Sequence, residues 1–578
     1  IELLIDRRAS GAHKGIVLCM SEEAGITREN KKEKEAYRLE ITPDGATVCA
    51  AEKEGLFNGV QTLRQLIIQY GSSLPCLYIE DYPALSVRGW FMDVTRGRIP
   101  KMSYLKELAD RCSLYKINQL HLYIEHTFLF DGLSEVWRDD TPLTAQDILE
   151  FDAYCAERNI ELVPSVATFG HLYKVLRTKT FHELSEVEEA EGTAFSFYER
   201  MCHHTLNSTD DRAYELVCRL IDEYSPLFRS NLFNINCDET FDLGRGRGKE
   251  RADEIGSHVM YVQWVNRVCE HVKALGKRPM FWGDIIAAHP EAIKELPEDV
   301  ICMTWDYSPT PREINVKKLW ENGAHQYLCP GVQGWNQAIH LLDNAYENIK
   351  QMAAFAHKYD GEGLLNTDWG DFGHFQHPEL SMVGIIYGAA FSWNSDIPEK
   401  AAINADISVI EYGDRSASLV EVISHMSNQA VVNWGEFVRI LENCRYQVAE
   451  REVTAFWEKY DKQTENAQEQ IASCNEAIRN DMAKVSALLV GIEEGKRKYI
   501  APILHMAEGQ ILINTMFGVL KKVHDGQQNP CADKKALAEA FEIWYYEYRR
   551  QWHKISRESE LYRIGELIFW LADYIREL

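Results

Sequence analysis

"VRGWFMDV" (residues 87–94) and "INQLHLYIE" (residues 117–125) are short runs rich in β-branched and aromatic residues, separated by a stretch with helical spacing. The alternation continues through "IELVPSVATF" (160–169), "LFNINCDE" (232–239), "RPMFWGDII" (278–286), "VICMTWDY" (300–307), "HQYLCPG" (325–331) and "EGLLNTDWG" (362–370), giving eight such runs. Helix start signals stand at Thr144-x-x-Asp147 and Ser208-x-x-Asp211, and stop signals at Asn159, Gly276 and Gly361. Strand and helix alternating over about 300 residues predict an α/β chain built on a (β/α)₈ barrel, whose usual length is about 250 residues before insertions. We set this barrel at residues 84–400.

Outward from the barrel the pattern changes on both sides. Residues 1–83 contain "YRLEITPDGATVCA" (37–50), two strand-like runs around a Pro-Asp-Gly turn, followed by Leu56, Val60, Leu63, Leu66 and Ile67 at helical spacing. This predicts a small α+β domain. Residues 401–578 lose the strand pattern and read as an all-α domain. No fixed-period repeat or low-complexity tract interrupts the chain.

A chain of 578 residues, 46% hydrophobic, can bury a large core. Its formal net charge of −26 disfavours nucleic acid and anionic membrane surfaces, which are bound through Lys and Arg. No uninterrupted apolar run reaches the roughly 18 residues that span a bilayer, and the first residues lack the pattern of a secretory signal. The 14 cysteines are scattered through apolar segments without metal spacing, the usage of buried thiols in a reducing compartment. A cytoplasmic location is expected.

In a parallel barrel the residues that end the strands share one face, where barrel active sites lie. Here that set holds Glu125, His171 after strand three, Asp238 and Glu239, Trp282 and Asp284, Trp305 and Asp306, and Trp369 and Asp371. Flat apolar rings for sugar faces, with carboxylates for hydroxyls, make a carbohydrate pocket. Each residue alone has a plainer reading. Eighty-eight acids in 578 residues give adjacent pairs by chance, a strand-end acid can cap the next helix, and a lone barrel Trp is more often core. Asp93 with Arg96 reads as a structural ion pair. Cys202, His203 and His204 lack a spaced partner, so no metal site is expected.

"VRGWFMDVTRGRIP", "INQLHLYIE", "TFGH" and "NINCDET" resemble glycoside hydrolase family 20, the β-N-acetylhexosaminidases. The likeness covers most of the chain, and "WHKISRESELYRI" (552–564) resembles a subgroup of bacterial N-acetylglucosaminidases with a helical C-terminal domain. The resemblance implies that Glu239 is the general acid and later the base, while the substrate's own 2-acetamido oxygen is the nucleophile. Asp238 would orient the acetamido N–H and stabilise the cyclic cation. Repulsion between the two carboxylates favours a protonated Glu239 beside an ionised Asp238. The resemblance further implies that Arg88 and Asp371 hold sugar hydroxyls, that Trp282, Trp305 and Trp369 box the acetamide, and that His171 lies near the acid. Two family features are replaced. "YIEHTF" stands after strand two where many members carry an Asp-Asp-Gln-Gly-Trp loop, which makes Glu125 one candidate for that acidic role. "CPGVQGW" ends at Trp335, either a substitute donor for the tyrosine that bonds the acetamide carbonyl or a pocket wall.

The expected function is an exo-acting, retaining β-N-acetylhexosaminidase releasing N-acetylglucosamine, with N-acetylgalactosamine as a second candidate, and using neither metal nor organic cofactor. Its partner would be an oligosaccharide or glycoconjugate, with a homodimer as one oligomeric option. Two rivals stand: a glycosidase whose strand-end carboxylate attacks the sugar directly, and a non-catalytic carbohydrate-binding barrel. Trp552, Arg557 and Glu558 in the tail are expected to make a domain contact rather than enter the pocket.

Overall fold

The computed structural model describes residues 15–25, 27–28, 31–188, 194–202 and 204–578. Eight parallel strands close into a barrel in sequence order: Val87–Asp93, Gln119–Ile124, Glu161–Val166, Leu232–Asn234, Arg278–Trp282, Ile301–Trp305, His325–Cys329 and Gly363–Asp368. We number them one to eight. The ring closes where strand eight pairs with strand one over six residue pairs, from Gly363 against Val87 to Asp368 against Met92. The strands are buried along nearly their whole length, as parallel strands covered on the outside by helices must be.

The helix after strand two, Ala145–Ala156, starts on a full capping box between Thr144 and Asp147. The next predicted start lies two residues further on. Asp210, not Ser208, caps Asp211–Tyr224 by accepting from the Arg212 N–H, because an Asx side chain immediately before the helix reaches its first free N–H groups best. Asn159 and Gly276 both adopt left-handed φ at helix ends.

The predicted hairpin is strands Tyr37–Thr42 and Gly45–Ala50, backed by helix Lys53–Tyr70 in a four-stranded sheet. Residues 1–14 of this small domain lie outside the described residues. From Lys400 the chain is helical to Glu577. One of these helices, Glu494–His524, is long and apolar enough to span a bilayer, yet Ile500, Ile503, Ile513 and Phe517 on it are buried. It is the core helix of this domain.

Trp552 is fully buried, with its Nε1 donating to the Arg557 carbonyl and the Arg98 guanidinium 3.7 Å above its ring. Arg557 reaches the barrel through the Pro142 carbonyl and the Asp147 carboxylate. The tail thus packs on the barrel segments that follow strands one and two. All 14 cysteines are free thiols. Cys76, Cys202 and Cys444 are exposed, so the expectation of buried thiols does not extend to them.

Candidate active site

Strand four is short, and that brevity places the acid pair. It keeps ladder pairing only over Leu232–Asn234, after which Asn236, Cys237 and Glu239 all take left-handed φ values of 58°, 68° and 50°. Non-glycine residues pay for such angles, so a run of them marks backbone held by its surroundings. The break overrides the alternation of a regular strand and lets Asp238 and Glu239 face the same imidazole. His171 Nε2 lies 3.2 Å from Asp238 Oδ2 and 3.5 Å from Glu239 Oε2. Gly170 makes this approach possible, since a Cβ there would stand 2.5 Å from the Asp238 carbonyl oxygen.

Burial alone would lower the His171 pKa, but the Asp238 charge and hydrogen bonds to both carboxylates outweigh it and raise the pKa to about 10. At neutral pH the ring is an imidazolium between two acids. Asp238 is nearly buried, and its Oδ1 has no hydrogen-bond partner among the described residues. Glu239 keeps 26% of its side chain exposed at the mouth. Its backbone N–H donates to Asp284, a carboxyl raised to about 8 by burial and by the charge of Asp238. Asp284 therefore holds the turn as a neutral acid.

The arginine of the mouth is Arg96. Its Nε donates to Glu125 at 2.9 Å, its Nη1 to Asp371 at 3.0 Å, and its guanidinium lies 5.0 Å from the centre of the Trp369 ring. This corrects two expectations. Arg88 is the second residue of strand one, five residues and about 17 Å of extended chain from the strand's C-terminal end. There, at the opposite rim, it is buried against Glu35 at 2.5 Å, the Lys116 carbonyl and the Leu85 carbonyl, docking the N-terminal domain. The Asp93–Arg96 pair is only partly structural. Asp93 is spent on the N–H groups of Thr95, Arg96 and Gly370, whereas Arg96 faces the other acids.

Glu125 is also placed differently from the expected sugar contact. It is buried behind Arg96, with Oε1 shared between Arg96 and the Tyr123 hydroxyl, and nearby cations hold its pKa down against the effect of burial. Its position orients Arg96. Asp306 turns away from the mouth, accepting from Ser308 and Arg312 in its own loop.

The tryptophans form two layers. Trp282 is fully buried, its Nε1 bonded to Asn236 and its ring against Phe91 and Trp369 at 5.0 and 5.7 Å. It is the floor beneath the box rather than a wall. Above it Trp305 stacks on Tyr307 at 5.0 Å, Trp335 meets Tyr307 edge-on at 4.9 Å, and Trp369 Nε1 donates to the Tyr307 hydroxyl at 2.8 Å. Tyr307 is the residue at the centre of the box that sequence reasoning missed; its signal was an aromatic side chain two residues beyond the end of strand six. Asn336 was missed as well. Its Nδ2 donates to Asp371 Oδ2 at 3.2 Å, and its buried Oδ1 has no partner among the described residues.

Among the described residues, two groups of side chains have the residue types and spacing to hold a metal ion: His171 with Asp238 and Glu239, and His126 with Asp140 and Glu560. In the first, the imidazolium already supplies the positive charge. In the second, the Lys174 ammonium lies 3.5 Å from Asp140 and 3.3 Å from Glu560. Of the adjacent Cys202 and His203, His203 lies outside the described residues and Cys202 is exposed.

The geometry places a carboxylate pair, an imidazolium, an arginine and an aromatic box at one barrel mouth, a set suited to proton transfer at a sugar. The family described as Glycosyl hydrolase family 20, catalytic domain, matches residues 86–360, and its domain 2 matches residues 6–82. A Beta-hexosaminidase of Akkermansia muciniphila is 33% identical over 160 residues, 24% of this chain and 32% of that protein. Human Hexosaminidase D is 25% identical over 304 residues, 48% of this chain and 59% of that protein. The chain thus spans about a third and about three fifths of these relatives. Among solved structures, the β-N-acetylhexosaminidase of Streptomyces coelicolor A3(2) shares the fold at a TM-score of 0.53 and 22% identity, over 69% of this chain and 84% of that one. The chitobiase of Flavobacterium johnsoniae does so at a TM-score of 0.55 and 15% identity, over 93% of this chain and 86% of that one.

Proposed function

The chain belongs to glycosyl hydrolase family 20, and from that premise we propose that it is an exo-acting, retaining β-N-acetylhexosaminidase releasing terminal β-linked N-acetylglucosamine. The observation that carries the reading is the Asp238–His171–Glu239 cluster opening onto an aromatic box. Glu239, the more exposed acid, is suited to protonate the glycosidic oxygen. Its carboxylate then lies beside the His171 imidazolium, which stabilises the charge left behind. Asp238 offers its unpartnered Oδ1 to the acetamido N–H and a negative charge to the oxazolinium-like cation. The acetamide is to sit among Trp305, Trp335 and Trp369, which shield the cyclising group from water.

Tyr307 fills the role left open at Trp335. Its oxygen accepts from Trp369 and lies beside the Thr367 hydroxyl, and we assign its O–H, turned from Thr367 to the ligand, to an acetamide carbonyl, with Trp335 as a wall. At the far end of the ring, Arg96, Asp371 and Asn336 present donors and acceptors to sugar hydroxyls. Tyr307 and Asn336 extend the expected site, and Arg96 takes the place of Arg88.

The test is turnover of aryl β-glycosides that differ only at C2 and C4. Activity on the N-acetylglucosaminide, with little on the plain glucoside, is expected; the N-acetylgalactosaminide measures selectivity at C4. Equal cleavage of the plain glucoside would favour direct attack by a carboxylate. Binding without cleavage of any of them would favour the non-catalytic barrel.

A further inference from the structure

The segment Ser556–Glu560 comes from the motif "WHKISRESELYRI", which the catalytic reading leaves without a role. It links helices Lys534–Ile555 and Leu561–Glu577, and it lies against the barrel mouth. Ser556 bridges to Pro100, and the Arg557 N–H donates to the Ile99 carbonyl at 2.8 Å. The Ser559 hydroxyl and the Glu560 N–H both donate to the Gly97 carbonyl, at 2.6 and 3.2 Å. Gly97 is the neighbour of Arg96. Its φ of 124° and its closeness to Gly373 exclude a side chain, because a Cβ would stand 2.4 Å from the Gly373 carbonyl oxygen. The Arg96 loop is therefore held between the loop carrying Asp371 and this segment of the helical domain.

The Glu560 side chain adds an electrostatic grip. It is buried, with Arg200 Nη1 at 2.6 Å, Arg563 Nε at 3.0 Å and Lys174 Nζ at 3.3 Å. Arg200 is buried too, and the anions that keep it charged are Glu560 first and Glu125 second. Glu125 is one of the carboxylates that hold Arg96, beside Asp371.

We infer that Glu560 is a positioning residue for the sugar site, holding Arg200 so that Glu125 remains free to orient Arg96. The inference rests on the function proposed above. Without the Glu560 charge, Arg200 and Lys174 lose their nearest counter-ion in a low-dielectric setting, and Glu125 is the next anion available to Arg200. Glu125 then leaves Arg96, whose guanidinium loses its fixed geometry toward the sugar hydroxyls. This chain of contacts ends at Arg96 and the sugar hydroxyls, whereas Glu239 is the group that moves the proton. The loss belongs to binding of the terminal sugar rather than to chemistry.

The experiment is steady-state kinetics on the aryl N-acetylglucosaminide with the full chain. Glu560→Gln is expected to raise KM about tenfold or more while kcat changes by less than about threefold, the size of losing one charge-assisted contact in binding. In an Arg96→Lys background the same substitution should add little to KM, because its effect acts through Arg96. Should Glu560→Gln fail to fold, Ser559→Ala removes only the hydroxyl on Gly97 and should raise KM in the same direction by about two- to fivefold. An unchanged KM in a folded variant, or an equal KM effect with and without Arg96, overturns the inference while the function stands. A wild-type chain inactive on every N-acetylhexosaminide overturns the function, and this inference with it.

Discussion

Arg96 Nη1 lies 3.0 Å from Asp371 Oδ1, a contact that ties the loop after barrel strand one to the loop after strand eight. Those two strands meet where the ring closes, so residues 275 positions apart become neighbours at the mouth. The contact marks the end of the pocket that holds the sugar hydroxyls, and it separates this arginine from Arg88 at the opposite rim.

Exchanging the two arginines in turn distinguishes their roles. Arg96→Ala should raise KM on an aryl N-acetylglucosaminide by about 10²-fold or more, since breaking a buried ion pair leaves uncompensated charge. Arg88→Met should lower the melting temperature through loss of the Glu35 contact and leave KM unchanged. A normal KM for Arg96→Ala, with a raised one for Arg88→Met, would return the sugar contact to Arg88.

Glu239→Gln should lower turnover of a natural disaccharide by about 10²–10⁴, the usual size of general acid catalysis. An aryl substrate with a good leaving group needs no protonation and should lose less in the first step. Near-normal turnover of the disaccharide by this variant would remove Glu239 from the mechanism.

Asp238→Asn should lower activity on the acetamido substrate by about 10²–10³, as when one contact to developing charge is removed. Successive fluorines on the acetamide make its oxygen a poorer nucleophile and should slow the wild-type enzyme step by step. Rates indifferent to fluorination would indicate that a protein carboxylate attacks instead.

Burial, reinforced by the charges of Asp93 and Glu239 and opposed by Arg96, raises Asp371 to a pKa of about 6. Below that pH the carboxyl is protonated and loses acceptor capacity toward the sugar, so KM should climb as the pH falls from 7 to 5. In Asp371→Asn the KM should be high and flat over that range. A wild-type KM independent of pH would show that Asp371 does not contact the sugar in its ionised form.

His171 titrates at about 10 in the folded protein and near 6.5 when unfolded. A folded pKa above the unfolded one stabilises fully below about 6.5, and the contribution is lost as the pH rises toward 10. The gap in melting temperature between wild type and His171→Gln should therefore be widest near pH 6 and shrink by pH 10. A gap that widens with pH would mean that the ring is neutral in the folded state.

Much of the architecture was legible in the chain. The eight runs that were read as strands are the eight barrel strands, because parallel strands buried on both faces must be continuously apolar and must alternate with helices. The acid pair was legible for a related reason: it closes such a run. The hidden parts depend on contacts remote in sequence. Tyr307 gains its meaning from Trp305, Trp335 and Trp369 closing around it, and Asn336 from Asp371. Glu560 gains its meaning from Arg200, 360 positions away.

The two arginines show where the boundary falls. The local pattern of residues 87–98 determined a strand and the loop that follows it, since β-rich alternation and turn residues act within a few positions. Which arginine faces the sugar depends on the rim at which each lies. Arg88 points into the N-terminal domain and Arg96 into a ring of acids contributed by strands two and eight. A guanidinium is placed by the carboxylates that compensate its burial, and only the closed barrel brings those carboxylates together.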